Sequence, residues 1–560
     1  MIEFREGQKE TILAIREAFK DHHIIILDAP VGSGKSLINL LSVEGYPTYL
    51  TTPRVDLVNQ YREDITSKFQ GLGRSVKGRS NYRCIYEEPH YENVWPHINA
   101  ANAKCTWEET VTDESGETHL WQCPVIGDCP YYVERTMAQM HNTAITTLDY
   151  FMLGINRGRL NAPPDRSMDD PSIFIDQDIK PKWEKRQILV VDEAHGLPQS
   201  LVRFFSVDIT KRTFGPYYNY DEMVDVAKEL VDQESDISIG ERIKDMFVSS
   251  LNSFAMEIND RIDNPNEAHN KPTFISLRDT IGKYLSKMSR IDMSSWVFEI
   301  TKDSNKTKFS WTPLKIDEFM KETWESFDHI IFSSATFVSY SSFLHELGLD
   351  NDTFAIIRVP DTFPSSSAPI YIAKDLSMGY KTKETTMPIA MREIERLADR
   401  GKEYKGLIHC VSYDNQQYIE NNASPELRQR LKTHTSENRN ETLDKYREDV
   451  GDNSILLSVN MTEGLDLPND TCRWQIILKT PFRSMGSEWV RQRMKLPDGR
   501  QWYETDALLH IMQASGRIMR SKDDWGVTYL LDGNAIRLIK MYEASLPEWF
   551  TSRISIYSIQ

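Results

Sequence analysis

The stretch DAPVGSGKS, residues 28–36, limits the possible folds more than any other part of the chain. It follows an apolar run, Ile24 to Leu27, and passes into Leu37-Ile38-Asn39-Leu40-Leu41, which reads as the start of a helix. Strand, glycine loop, Lys-Ser and helix in that order make a phosphate-binding loop. Gly32 and Gly34 let backbone N–H groups curl around phosphate oxygens with no Cβ in the way, and Ser33 lies between them. Lys35 is placed to reach the β- and γ-phosphates of a nucleotide, and the Ser36 hydroxyl to ligate Mg²⁺. The usual first glycine is replaced by Ala29, so the pattern is one residue short.

A second acidic strand end supports the same chemistry. Ile188-Leu189-Val190-Val191 reads as a buried strand delivering Asp192-Glu193-Ala194-His195. Asp192 suits the Mg²⁺ shell, and Glu193 suits orienting or deprotonating the attacking water. Phe4 to Phe19 predicts an amphipathic helix, with Arg5 and Gln8 ahead of its apolar stripe. Thr48 to Arg54 predicts a strand breaking at Pro53, which leaves Thr52 and Arg54 at a strand's C-terminal end, where open α/β sheets bind ligands.

Six cysteines in 560 residues, with no secretory leader and no apolar run of about 20 residues, predict a reducing cytoplasm and no membrane span. A net charge of −17 argues against nucleic acid coating the whole surface but permits a local basic channel. Lys68, Arg74, Lys77, Arg79 and Arg83 form one acid-free basic stretch. A second runs through Arg473, Lys479, Arg483, Arg491, Arg493, Lys495 and Arg500.

Four of the cysteines, Cys84, Cys105, Cys123 and Cys129, fall within 46 residues at gaps of 20, 17 and 5. Structural zinc normally shows a C-x₂₋₄-C pair, and none is present. Buried free thiols and a thiolate-bound metal centre both fit the spacing; the clustering favours the metal, with wide gaps better suited to iron–sulfur. Residues 200–322 turn helical and acidic without a catalytic constellation. The α/β pattern returns at Ile330 to Thr336 and again from about Pro369, in a half with no glycine loop of its own.

In order, Arg5–Gln8, GSGKS, Thr51–Arg54, GRSNYRC with its cysteines, DEAH, SSAT, EGLD and QASGRIMR resemble the XPD/DinG family of superfamily 2 DNA helicases. The resemblance implies an α/β protein with two RecA-like motor domains, the first interrupted by an iron–sulfur domain and a helical arch. The expected divisions are 1–70, 140–199 and 323–365 for the first motor, 71–139 for the cysteine domain, 200–322 for the arch and 366–560 for the second motor. The motor is expected to begin at the first residues, with no nuclease domain ahead of it.

Carried over by position, the resemblance implies that Gln8 reads the adenine edge, with Arg5 beside it. Gly464, Asp466 and Gln513 meet the nucleotide across the cleft, and Arg517 and Arg520 act as arginine fingers. It implies a 4Fe-4S cluster on the four cysteines, with Cys105 the least conforming. It also implies 5′→3′ movement on single-stranded DNA and unwinding of forked or tailed duplex, using ATP and Mg²⁺. Thr52, Arg54, Arg79, Tyr82 and Arg83 are the expected DNA contacts, Tyr82 offering a stacking face. A monomer in the cytoplasm (the host's, for a viral chain) is expected, with the arch available to a protein partner. The competing readings are a translocase that strips proteins from DNA without unwinding, and a nucleic-acid-stimulated ATPase switch.

Overall fold

The computed structural model describes residues 4–559 apart from 87–98, 102, 107–109, 113–117, 122, 157–182, 184, 234–237, 304–305, 351, 362, 380, 436–437, 450–451, 460–466, 468 and 519–523. Two seven-stranded sheets organise it. The first has the order 354–358, 24–28, 329–334, 188–192, 48–52, 143–147, 74–75, and every pairing in it is parallel. A parallel sheet is covered on both faces, so its central strands are continuous apolar runs. Ile24 to Leu27 are all 0% exposed. The second sheet, also all parallel, runs 431–432, 455–458, 406–409, 474–477, 527–530, 370–373, 554–557. The chain is thus an α/β protein with two RecA-like units.

The first sheet is assembled from strands that lie before, between and after two long excursions. The helix Gln8–Ala18 packs its Ile12 and Ile15 beneath this sheet, and Gly7, at φ 77°, turns the chain into it. The helix Lys35–Ser42 follows the glycine loop.

The second excursion was expected to be helical. Its helices Tyr220–Gln233, Ser238–Asp263 and Lys271–Met288 are present. They pack on a three-stranded antiparallel sheet of Val207–Thr210, Lys306–Pro313 and Trp296–Asp303, which the helical reading did not anticipate. Phe247, Phe309 and Trp311 fill the space between the layers. This sheet also touches the second RecA-like unit. Glu299 accepts hydrogen bonds from Ser487 Oγ at 3.1 Å and from the Glu488 backbone N–H at 2.7 Å, at the start of the helix Glu488–Met494. Trp489 Nε1 donates to the Pro313 carbonyl at 2.9 Å. Among the described residues, no helix is long and apolar enough to cross a membrane.

Candidate nucleotide site and nucleic-acid track

The glycine loop sits at the C-terminal end of strand Ile24–Asp28, with Gly32 at φ 82° and Gly34 at φ 78°. Side chains rarely adopt such angles, and the space is also taken: a Cβ on Gly32 would run into the Phe363 ring, and one on Gly34 into the Gln8 amide. Lys35 Nζ donates to Glu193 Oε1 at 2.5 Å and lies 3.5 Å from Asp192 Oδ1. Burial alone would lower the lysine's pKa, but Glu193 and then Asp192 outweigh it and hold the ammonium above its ordinary value. Burial pushes the Asp192 carboxyl up against the pull of Lys35. Lysine and acids therefore neutralise one another where the phosphates and a cation would enter.

The strand end is held by groups that sequence reading missed. Tyr61 donates to Asp192 Oδ2 at 3.1 Å, and the Asn39 amide donates to the Tyr61 hydroxyl at 3.1 Å. His195 Nδ1 hydrogen-bonds with Ser334 Oγ at 2.7 Å and lies 3.4 Å from Glu193 Oε2, which links DEAH to SSAT. Those two motifs were visible in the sequence; Tyr61, on an ordinary helix face, carried no signal. Glu193 has φ 53°, one of two non-glycine residues at positive φ among those described. Such strain gathers at working sites.

Gln8, expected to read adenine, is 2% exposed with both ends of its amide engaged. Its Nε2 donates to the Ser33 carbonyl at 2.8 Å, and its Oε1 accepts from the Arg5 N–H at 2.8 Å. Arg5 Nη1 also donates to the Gly32 carbonyl. Ser36 is half-buried beside them. In the second unit, Arg517 lies near His409, whose imidazole is pushed down to about 4 by burial, against a hydrogen bond with Gln475, and further by that guanidinium. The Gln513 side chain is half-buried, and its Oε1 lacks a hydrogen-bond partner among the described residues. Gly464, Asp466 and Arg520 lie outside the described residues.

The expected DNA contacts separate. Arg54 and Arg83 are exposed, Arg54 pairing with Asp56 at 2.7 Å and Arg83 forming a backbone bridge to Asn99. Thr52 is buried, its hydroxyl donating to the Arg54 carbonyl at 3.0 Å. Tyr82 does not offer a stacking face. It is 6% exposed, donates to Glu134 Oε2 at 2.5 Å, and packs edge-on against Tyr131. Arg79 lies over the Tyr131 and Tyr132 rings and donates to the Tyr132 hydroxyl at 2.7 Å.

The second basic stretch is largely neutralised by acids, one within it and others further along the chain. Arg473 pairs with Asp524 at 2.5 Å, Arg483 with Asp506 at 2.6 Å, and Arg493 with Asp498 at 2.8 Å.

The four cysteines share one neighbourhood. Burial first, opposed by Arg79 and then reinforced by Cys123, Cys84 and Cys129, raises the Cys105 thiol to about 11. Cys84 and Cys129 are buried, Cys105 and Cys123 half-buried. Four sulfur donors in mutual electrostatic reach have the chemistry an iron–sulfur group needs. No three potential ligands among the described residues are gathered tightly enough to grip an ion.

Comparison with known proteins agrees with this arrangement. A helicase C-terminal domain family matches residues 396–553. The ATP-dependent DNA helicase YoaA of Haemophilus influenzae is 21% identical over 95% of this chain and 91% of its own length. The XPD/RAD3 helicase subunit of Saccharomyces cerevisiae is 30% identical over 125 residues, 20% of this chain and 15% of that protein. The solved structure of an XPD helicase superposes with a TM-score of 0.65 over 100% of both chains at 15% identity, a likeness of fold.

Proposed function

We propose that this chain, XPD/DinG-like along its whole length, is an ATP-dependent DNA helicase that moves 5′→3′ on single-stranded DNA and unwinds duplex. One observation carries most weight. Lys35, Asp192 and Glu193 meet on a glycine loop at the C-terminal edge of one RecA-like sheet, and a second such sheet follows in the same chain. Lys35 would leave Glu193 for the phosphates. Ser36 and Asp192 would hold Mg²⁺, two hard oxygen donors for a hard cation, which supplies charge neutralisation at the β- and γ-oxygens. Glu193, released from the lysine and still beside His195, would hold the attacking water. Arg517, with Arg520, would meet the developing phosphate charge from the second unit.

The named relatives act on DNA, which supports DNA as the track. Arg54 and Arg83 are the exposed cations from the expected set for its phosphates. Cys84, Cys105, Cys123 and Cys129 would hold a 4Fe-4S cluster, which when bound supplies rigid cross-bracing to that segment.

Strand displacement on duplexes with a single 5′ or 3′ tail tests the reading. Product from the 5′-tailed duplex alone, dependent on ATP, is expected. ATP hydrolysis stimulated by single strands with no displaced strand would reduce the chain to a translocase or switch. No nucleotide hydrolysis would overturn the reading altogether. Iron content and visible absorption after anaerobic purification test the cysteines, with colour and iron lost in Cys84→Ser.

A further inference from the structure

We infer that Phe363 is the shelf on which the purine of the nucleotide stacks; this rests on the reading of residues 28–36 as a nucleotide site. The chain reaches it by a short path. The edge strand Phe354–Arg358 runs parallel to Ile24–Asp28, and the Val359 N–H continues the pairing by donating to the Asp28 carbonyl at 2.9 Å. The chain then crosses the N-terminal turn, where Pro360 lies 3.6 Å from the position of a Cβ on Gly7. Three residues later the Phe363 ring rests on Gly32, its Cε2 2.7 Å from where a Cβ would stand. Only a glycine accommodates a ring so close.

The ring belongs to no hydrophobic core. It is half-buried, joins none of the core clusters, and pairs with no other ring among the described residues. It is nonetheless held in place. Asp361 accepts from the Phe363 N–H at 3.0 Å and from Arg553 Nη2 at 2.8 Å, so the second unit fixes this turn. Beside the ring stand Arg5, donating to the Gly32 carbonyl, and Gln8, donating to the Ser33 carbonyl. Gln8 spends its amide on the loop, so its polar edge is not what a base would meet first. The ring meets the loop by its edge, at Cζ and Cε2, and an aromatic side chain at a phosphate loop is what a purine binds through stacking, with little preference among purines.

The test compares ATP, GTP and inorganic tripolyphosphate binding to the full chain, by calorimetry, in wild type, Phe363→Ala, Phe363→Leu and Phe363→Trp. Ala and Leu should each weaken ATP and GTP roughly 10-fold and leave tripolyphosphate unchanged, while Trp retains purine affinity. Leu preserves the apolar contact with Gly32, so its loss of affinity isolates the aromatic face from mere filling. ATP binding as tight as or tighter than wild type in Phe363→Ala would overturn the shelf and make the ring a plug. A parallel loss of tripolyphosphate would overturn it in favour of a loop-supporting role. A wild-type chain that binds neither ATP nor tripolyphosphate would remove the nucleotide reading itself, a different failure.

Discussion

The two seven-stranded sheets share an all-parallel design and differ in what their buried charges do. In the first, Lys35 faces Asp192 and Glu193 at the open C-terminal edge, beside two left-handed glycines and a strained Glu193. In the second, Arg473 is locked to Asp524, whose side chain is 0% exposed, and the glycine loop has no counterpart. On the proposed reading a ligand would part the first set of charges, whereas the second is a pair whose carboxylate is closed off from solvent. One architecture thus carries the proposed reactive site in one copy and a buried ion pair in the other, because function resides in the residues grafted on a fold.

Breaking the first cluster should have the largest effect. Lys35→Ala and Glu193→Gln should both bring ATP hydrolysis to background. Binding should weaken in the lysine variant and persist or tighten in the glutamine variant, because of these two residues Lys35 is the one expected to neutralise phosphate charge. Equal loss of binding in both would contradict those separate roles, and equilibrium nucleotide titration decides it.

Next comes what the second unit contributes to chemistry. Arg517→Ala should lose about 10³-fold or more in turnover while still binding ATP and single-stranded DNA. Near-normal turnover would leave the finger role to Arg520. Arg473→Ala should sharpen the contrast by costing stability: about 3–5 kcal/mol, since it strands a buried carboxylate, read as a lower urea midpoint.

The smallest effect lies at the seam between the units. Glu346, on the helix Tyr340–Glu346 of the first, faces Arg493, Asp506, Asp498 and Arg483 of the second, and burial raises its carboxyl to about 7. The folded chain holds that proton more tightly than the unfolded chain. Wild-type stability should therefore fall as pH rises from the ordinary carboxylate range through about 7, and level off above it. Glu346→Gln should lose this dependence, so that its urea midpoint gains on wild type between about pH 5 and about pH 8. Parallel profiles would remove Glu346 from the seam's titration.

What sequence reading reached and missed follows from the range of the forces involved. The glycine loop, the acidic strand end and the two parallel sheets rest on local chemistry: apolar runs of four, glycines beside lysine, acids after a strand. The arch's sheet also left a local trace, Phe309 and Trp311 alternating with polar residues, but neighbouring helical periodicity masked it. The surroundings of Tyr82 and of much of the second basic stretch were hidden because the partners lie far along the chain. Glu134 is 52 residues from Tyr82, and Asp524 is 51 from Arg473. No inspection of KGRSNYRC shows that its tyrosine turns inward.

The bonds from Glu299 to Ser487 and Glu488 have a mechanical consequence. The arch leaves and re-enters the first unit through its own chain and is bolted to the second by a carboxylate on a helix start. A body fastened to both banks of a cleft cannot ignore the width of the gap. Hydrogen bonds of this kind stretch by only a few tenths of an ångström before they weaken. If the two units move relative to each other as the proposed function requires, this body must either swing with both or part from the second at Glu299 and at the Trp489–Pro313 bond.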